Sequence, residues 1–386
     1  MAEYQFYEFR TVNRALTRAE QAEVNTWSSR ANVTPSGATF VYNYGDFKKD
    51  PERCLLSHFD MMLYVANYGC RRMMFRFPAD LVDFEAMQAY VWEHEEDYEH
   101  YLRVYQKEGY VVVDIEENAE EGYGFWVEGE GILPALASLW TDIANGNYAC
   151  LYLAWVHFAA YFQEIMDDSD EQDGDEDAPM TEPPLALGLK KPSAALSEFM
   201  EFWGISDDLR AAAAQNSPAE DNAPAAELEQ GLQRLPEAEK TAFLARLLRD
   251  EPHLRIALVK RLQEVSGTAA AQPAADRRSL RVLQEAEAAA SKQRMEREQR
   301  EAAEKRRLEL EAMKKREPAI WAAMEANLFK KTSSGYDHAV KELVDLRDLA
   351  DYNKARPQFE EKMADILERF GRSSALKERL KNAKLI

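Results

Sequence analysis

The densest group of potential metal ligands in this sequence is a short run of histidines and acids. It consists of His94, Glu95, Glu96, Asp97 and His100. A metal site needs ligands that converge on one point, and the H-x5-H spacing brings the two histidines together neither on a helix nor reliably on a strand. The run is more typical of a solvated acidic turn before a hairpin, so we predict no metal site here.

Two further stretches carry residue types that could do chemistry. Asp114 and Glu116 share one face of the predicted strand YVVVDIE, as paired general acid and base carboxylates might. Exposed acids on a hairpin explain them better. The Gly-rich loop at 121–131 has no GK[ST], and its glycines alternate with acids that would repel phosphate. We therefore predict no catalytic residue and no cofactor.

The familiar motifs of covalent catalysis are missing from the sequence. It contains no G-x-S-x-G, no P-loop and no cysteine with a plausible histidine partner nearby. Cys54, Cys70 and Cys150 show no close pairing, so we expect reduced, buried thiols in a cytoplasmic protein. No signal peptide and no apolar run long enough for a membrane span is present, and we expect no membrane association.

Arginines and lysines supply the remaining candidates. Arg71, Arg72 and Arg76 could bind an anion, with Arg72 and Arg76 on one strand face and Arg71 on the other. Pairing with the acids of residues 83–130 is the favoured alternative. Two basic clusters, Lys305–Arg307 and Lys330–Lys331, are better explained as a solvated helix face. The candidates for binding nucleic-acid phosphate are Lys314, Lys315, Arg316, Arg372, Lys377, Arg379 and Lys381.

The net charge of −21 is concentrated in two blocks. Residues 83–130 hold fifteen acids against two bases, and residues 164–182 hold ten acids and no base. The tail from Gly371 onward holds five bases against one acid. The acidic half discourages nucleic-acid binding, so the tail is the better electrostatic candidate.

A long charged helix is the clearest element in the sequence. Arg278–Arg316 contains neither glycine nor proline and consists almost entirely of strong helix formers. Opposite charges recur one turn apart, as in Glu296/Arg300, Arg297/Glu301 and Arg307/Glu311. Met295 is the only apolar side chain larger than alanine between Leu283 and Leu308, so the seam of a coiled coil is missing. We favour a solvated single helix in a monomer over a coiled-coil dimer.

Before this helix, the pattern predicts an α+β domain, and after it a small helical bundle. The helix that starts at Pro51 is expected to carry Leu55, Phe59, Met62 and Leu63 on one face and to stop at Gly69. The predicted parts are an α+β domain at 1–165, an acidic disordered linker at 166–190, a short helix at 191–210, a linker at 211–227, a helical hairpin at 228–266, a linker at 267–276, the long charged helix at 277–316 and a helical bundle at 317–386.

Several stretches resemble a family of uncharacterised bacterial proteins. These are YQFYEFRTVNRALT, VYNYGDFKKDP and LYVANYGCRRMMFRFP in the first half, and LPEAEKTAFLARLLRDEPHLRIALVKRL, the charged helix and the segment from YDHAVKEL in the second. The second half is also similar to the tails of bacterial SWIM zinc-finger proteins. The resemblance implies a bacterial, cytoplasmic protein and brings no catalytic motif. The C-x-C…C-x-H zinc ligands are missing, so DNA binding through a SWIM finger is not implied.

The sequence favours a non-catalytic interaction protein that joins an N-terminal recognition domain to a C-terminal helical module, with protein partners of unknown identity. The first alternative is a nucleic-acid-associated accessory protein that binds through the basic C-terminal half. The second is an enzyme of unrecognised type with its site in the aromatic-rich N-terminal domain.

Overall fold

The computed structural model describes residues 4–12, 14–94, 99–118, 129–168, 180–217, 225–249, 251–267 and 277–386. Some sequence-based predictions fall outside the described residues. They are Glu95–Asp97 of the histidine–acid run, residues 121–128 of the Gly-rich loop, and 169–179, 218–224 and 268–276 of the three linkers. The internal contacts divide the chain into a first unit, Met1–Ser291, and a second unit, Lys292–Ile386.

The described part of the first unit contains one antiparallel sheet. Its strands are β1 (Gln5–Arg10), β2 (Ala31–Thr34), β3 (Gly37–Tyr42), β4 (Met61–Ala66), β5 (Cys70–Pro78), β6 (His100–Lys107) and β7 (Tyr110–Asn118). They are ordered β2-β3-β1-β4-β5-β7-β6, and every pair is antiparallel. The predicted α+β class of this half is confirmed.

The two faces of the sheet differ because side chains alternate along each strand. Phe6, Phe75 and Val113 point to one face, which belongs to the large core that also contains the apolar helices after residue 132. Tyr7 and Met74 point to the other face, which is covered in part by the two helices of the N-terminal segment. Helices therefore bury one face almost completely and leave a portion of the second accessible.

Along the chain, the described helices of the first unit lie between strands or after the last strand. They are α1 (Arg18–Asn25), α2 (Pro51–His58), α3 (Phe84–Gln88), α4 (Ile132–Ala135), α5 (Ala137–Ala144), α6 (Ala149–Asp168), α7 (Ala194–Trp203), α8 (Asp207–Ala214), α9 (Ala225–Arg234), α10 (Glu237–Leu247) and α11 (Leu254–Ser266). The T-x-x-E spacing of Thr17 and Glu20 indicates a capping box, and α1 begins with it: the Thr17 side chain accepts from the backbone of Glu20, and the Glu20 side chain accepts from the backbone of Thr17.

The helix predicted from Pro51 to Gly69 is wrong in its second half, which forms a strand. The segment after Pro51 forms α2 only as far as His58, and Met62 and Leu63 lie on β4 in the middle of the sheet. All residues of β4 except Tyr64 are buried, so both of its faces are largely apolar. A short apolar run that is buried on both faces has no alternation, and its spacing therefore mimics a helix.

Two parts of the predicted linkers are ordered and buried. Residues 211–214 form the last turn of α8, where Ala212 and Ala213 are buried. Leu185 and Leu189, in the part of the chain predicted as an acidic linker, belong to the large core. Alanine favours helix and lets neighbouring elements approach closely, so an alanine-rich segment packs as well as it links.

A buried ion pair joins Glu182 to Arg278, just before the long helix. Glu182 is fully buried and accepts hydrogen bonds from the Arg278 guanidinium at 2.8 and 2.9 Å. Thr181 and Ser279 form a β-bridge beside it. The start of the long helix is thereby held against Thr181 and Glu182.

The long charged helix is present as α12 (Leu280–Lys314). Leu280 and Leu283 at its start belong to the core of the first unit, and most side chains from Lys292 to Leu308 are exposed. Of the charge pairs expected along it, Glu296/Arg300, Arg297/Glu301 and Arg307/Glu311 lie within 4.0 Å.

The second unit continues α12 into a small helical bundle. Its further helices are α13 (Glu317–Phe329), α14 (Ser333–Tyr352), α15 (Arg356–Phe370) and α16 (Ser374–Asn382). Their apolar stripes meet in one core around Met324, Leu343 and Phe359. The mostly helical C-terminal half, with its long helix and bundle, is confirmed.

Candidate functional site

The arginines of β5 alternate between the two faces of the sheet, as predicted. Arg71 pairs with Glu117 at 2.7 Å, and Arg72 makes a two-pronged pair with Asp114 at 2.8 and 2.7 Å. Both partners lie within residues 83–130, as the favoured alternative predicts. Arg76 differs, because its guanidinium pairs with Asp60 at 2.7 Å, outside that block.

Asp114 and Glu116 share one face of β7, as predicted, but Asp114 is not an exposed acid. It is only 2% exposed, because Arg72 lies over it. Glu116 is half-buried and lies 3.3 Å from the Arg72 guanidinium, and it accepts a hydrogen bond from the Tyr101 hydroxyl. The cross-strand neighbours decided this burial, and the position of the acids along the chain does not reveal them.

The histidines of the histidine–acid run contact aromatic rings. His94 stacks on Trp92 with the ring centres 6.1 Å apart, whereas His100 is buried beside Phe158 at 5.0 Å. Glu95, Glu96 and Asp97 lie outside the described residues. Among the residues that the structure describes, no group of three or more histidine, cysteine or carboxylate side chains could hold a metal ion.

A row of polar and aromatic residues crosses the accessible part of the sheet. In consecutive strand pairs, Tyr7 lies opposite Tyr64, Tyr64 opposite Arg72, Arg72 opposite Glu116, and Glu116 opposite Tyr101. Residues opposite each other in an antiparallel pair point to the same face. Five strands therefore present three phenols, one guanidinium and one carboxylate in a continuous line.

A cavity of about 150 Å³ opens over this row. We call it the tyrosine pocket. It is lined by Gln5, Tyr7, Asp46, Pro51, Met62, Tyr64, Tyr68, Arg72 and Glu116. Strands supply most of the lining, so the pocket is built on rigid elements, while Asp46 and Tyr68 come from the loops at its rim.

Hydrogen bonds hold the tyrosines of the pocket in place. The hydroxyls of Tyr7 and Tyr64 both donate to the side-chain oxygen of Gln5 at 3.2 Å, and the rings stack with centres 4.4 Å apart. Tyr7 also lies 3.2 Å from the Asp46 carboxylate, which accepts from the backbone of Phe47 at 2.7 Å. The positions of these oxygens are thus fixed without any ligand.

Burial acts on the phenols of the polar row and on the neighbouring Cys70 thiol. Burial, reinforced by nearby acids or phenols, raises the pKa of Tyr7, Tyr64 and Tyr101 well above that of a free phenol. Burial and the Glu116 carboxylate raise the pKa of the Cys70 thiol to about 12. Near neutral pH the phenols and the thiol are therefore protonated, and neither is activated as a nucleophile.

A second cavity, of about 260 Å³, lies where α6 and α7 begin. Its polar lining serves the helices themselves, since Asn147 accepts from the backbone of Ala149 and Ser193 from that of Leu196. Burial raises the pKa of Cys150 in its wall to about 12, which leaves the thiol unreactive. The tyrosine pocket, which holds several convergent side chains, is the better candidate for a binding site.

The nucleic-acid candidates of the second unit do not form one surface. Lys314, Lys315 and Arg316 are exposed where α12 meets α13, whereas Arg372 follows Phe370, whose ring contacts Phe329 at the opposite end of α13. A helix of 13 residues spans about 20 Å, so the two groups are separated by that length. Lys377 and Lys381 are exposed, but Arg379 is paired with Asp337 at 2.6 Å.

The two basic clusters that the sequence assigns to a solvated helix face behave differently. Arg306 pairs with Asp345 and Asp348 of α14, at 2.9 and 2.7 Å. Lys330 and Lys331, in contrast, are exposed next to Phe329, which is 60% exposed. A short basic and aromatic patch is therefore present at the end of α13.

Sequence reasoning missed Gln5, Tyr7, Asp46, Tyr64 and Tyr68 as site residues. The alternation in EYQFYEF indicates that Gln5 and Tyr7 share a face. Nothing local indicates that β4, which the sequence assigned to a helix, brings Tyr64 beside them.

No family model, no curated protein and no solved structure matches this chain. Among the described residues, no helix combines the length and the apolar character that a membrane crossing requires.

Proposed function

We propose that this is a non-catalytic, cytoplasmic interaction protein whose N-terminal domain recognises a ligand or partner group in the tyrosine pocket. The C-terminal helical bundle then serves as a separate module on the same chain. The partner of the whole protein is a protein or a small molecule that presents a group of the pocket's size.

The observation that carries this proposal is the pocket itself. Four strands, β1, β4, β5 and β7, converge their polar side chains on one cavity, and hydrogen bonds hold the tyrosines in position. A site that is organised in advance binds with a smaller entropy cost. Strand-borne tyrosines also offer large contact areas with few rotatable bonds.

The protonation states of the pocket favour recognition over catalysis. General acid–base chemistry is most efficient when the pKa of the acting group lies near the working pH. Burial moves the pKa of Tyr7 and Tyr64 away from neutrality. Asp114 is committed to the Arg72 guanidinium through both carboxylate oxygens.

The test compares what full-length variants retain from a lysate. One variant combines Tyr68→Ala with Glu116→Gln, and the matched control carries Glu85→Gln, an exposed acid on α3 that does not line the pocket. We expect a molecule that wild type and control retain and the pocket variant loses. Identical retention by all three proteins would contradict the proposal.

A second candidate function is nucleic-acid binding by the C-terminal bundle. It is favoured by the exposed bases Lys330, Lys331 and Arg372 around the exposed ring of Phe329, since stacking and phosphate neutralisation together bind single strands. The Glu325 and Asp365 carboxylates that pair with nearby Arg369 oppose it.

Binding of a labelled single-stranded oligonucleotide to the full chain separates the two candidates. Under the leading proposal we expect no retention even near 50 mM salt. Retention that collapses as salt rises, and that is lost when Lys314, Lys315 and Arg316 become Glu, would favour the second candidate. The same loss with Lys330, Lys331 and Arg372 changed to Glu would place the site at the opposite end of α13.

A further inference from the structure

The tyrosine pocket is lined by several hydrogen-bond acceptors. Each phenol has one hydrogen, and those of Tyr7 and Tyr64 are directed to Gln5, Asp46 or a neighbouring hydroxyl. The Gln5 oxygen accepts from both of these phenols, so the phenol oxygens and the carboxylates of Asp46 and Glu116 are the acceptors that remain at the cavity. A ligand that donates hydrogen bonds complements them.

The charges of the pocket have the same preference. Asp46 and Glu116 line the pocket together with the single guanidinium of Arg72. Arg72 also pairs with the buried Asp114 carboxylate through two of its five N–H groups, so these three carboxylates and one guanidinium leave a formal charge of −2. An anionic ligand would be repelled, whereas a cation would be attracted.

The walls and the size of the pocket restrict the kind of cation. Met62 and Pro51 provide an apolar wall, and the tyrosine rings add faces that attract positive charge. With about 30 Å³ for one water-sized group, a cavity of about 150 Å³ holds roughly five non-hydrogen atoms. Four carbons and one ammonium nitrogen make such a group.

We propose that the tyrosine pocket binds a primary alkylammonium group, with the nitrogen directed to the carboxylates that line the pocket and the carbon chain against Met62. This inference rests on the proposed function and specifies its ligand chemistry. The group occurs in the lysine side chain of a protein partner and at the end of a free polyamine. Both sources present the same donors to the same acceptors.

The test is calorimetric titration of the full-length protein near neutral pH and low salt. The probe is Nα-acetyl-lysine methylamide, and the matched neutral compound is Nα-acetyl-norleucine methylamide, which ends in a methyl group. We expect binding of the lysine compound that weakens as salt rises, and binding of the norleucine compound at least tenfold weaker.

Two isosteric variants locate the site. Asp46→Asn and Glu116→Gln each remove one negative charge and keep the shape of the side chain. Each should weaken binding of the lysine compound about fivefold to tenfold, because hydrogen bonds to charged groups contribute more than neutral ones. The control Glu85→Gln should leave binding unchanged within twofold, and thermal unfolding should confirm that all variants fold.

The outcomes separate this inference from the proposed function. Equal binding of the norleucine compound, lost in Tyr68→Ala, would overturn the ammonium assignment and leave the pocket a recognition site. No binding of the lysine compound or of spermidine, or binding that both charge variants leave intact, would also overturn the assignment. Loss of pocket-dependent retention from lysate would overturn the proposed function as well.

Spermidine and a lysine-containing peptide distinguish the two sources. Tighter binding of the peptide than of the blocked lysine, abolished when its lysine is acetylated on Nζ, supports a protein partner. Tighter binding of spermidine than of the peptide supports a free polyamine. Either result retains the alkylammonium assignment.

Discussion

Arginine–carboxylate pairs occur in both units, but their surroundings differ. In the first unit, the side chains of Arg76 and Asp60 are 8% and 1% exposed, and those of Arg278 and Glu182 are 10% and 0% exposed. In the second unit, the side chains of Arg300 and Glu296 on α12 are 83% and 50% exposed. These two pairs of the first unit are therefore isolated from water, whereas the pair on α12 in the second unit is solvated.

This difference teaches what each pair contributes. Removing one member of a buried pair leaves an uncompensated charge that water cannot reach, which is strongly destabilising. An exposed pair loses little, because water and salt replace its partner. The buried pairs therefore matter more for stability than the exposed pairs of α12, which mainly support the helix locally.

The largest expected effect is at Arg76. Arg76→Met leaves the Asp60 carboxylate buried without its cation, so we expect the first unit to lose about 3–5 kcal/mol of unfolding free energy. Urea unfolding followed by tryptophan fluorescence measures it, because most tryptophans lie in that unit. The matched variant Arg300→Met should be indistinguishable from wild type. Equal effects at both positions would remove the contrast between the units.

The second effect concerns His157, which has no carboxylate partner among the residues that the structure describes. Burial, with His100 and Arg71 nearby, lowers the pKa of His157 to about 4. Between pH 6.5 and 4 the unfolded chain takes up a proton that the folded chain does not, so stability falls as pH falls. We expect a loss of about 2–3 kcal/mol across this window, at 1.36 kcal/mol per pH unit. In His157→Phe, most of this slope should disappear; an unchanged slope would assign it to other groups.

The third effect concerns Glu8, a buried acid of β1. Burial raises its pKa to about 7, Arg10 partly offsets this at 3.9 Å, and Glu130 adds to it. The unfolded chain releases this proton from about pH 4.5, so stability falls as pH rises and the cost is complete above pH 7. Glu8→Gln should therefore stabilise the protein by about 2 kcal/mol at pH 8 and by little at pH 4.5. Stabilisation that is equal at both pH values would show a packing effect.

The smallest effect is expected from salt on the long helix. The pairs of Arg297, Arg300 and Arg307 are exposed and one turn apart, so high salt should screen them. A peptide of Arg278–Arg316 should be a monomeric helix whose circular dichroism weakens modestly in high salt. Helicity that rises with peptide concentration would indicate a coiled-coil dimer, in which contacts between chains add to the solvated ion pairs.

Local patterns predicted much of the fold. The capping box at Thr17, the long charged helix and the stripes of α14 and α15 follow from spacing and composition alone. The split of α2 from β4 was not predictable, because an apolar run buried on both faces carries no period that separates helix from strand. The alanines of α8 present the same difficulty, since their composition suits both a linker and a packed helix.

The candidate site shows the same division more sharply. The alternation of β1 determined that Gln5 and Tyr7 share a face. The alternation of β5 placed Arg71 and Arg72 on different faces of the sheet, and that of β7 placed Asp114 and Glu116 on the same face.

The tertiary structure alone decided that β4 and β5 lie between β1 and β7, which places Tyr64 and Arg72 between Tyr7 and Glu116. Side-chain alternation is a property of each strand and is readable from sequence. Strand order depends on contacts between segments far apart in the chain, whose energies no local pattern records.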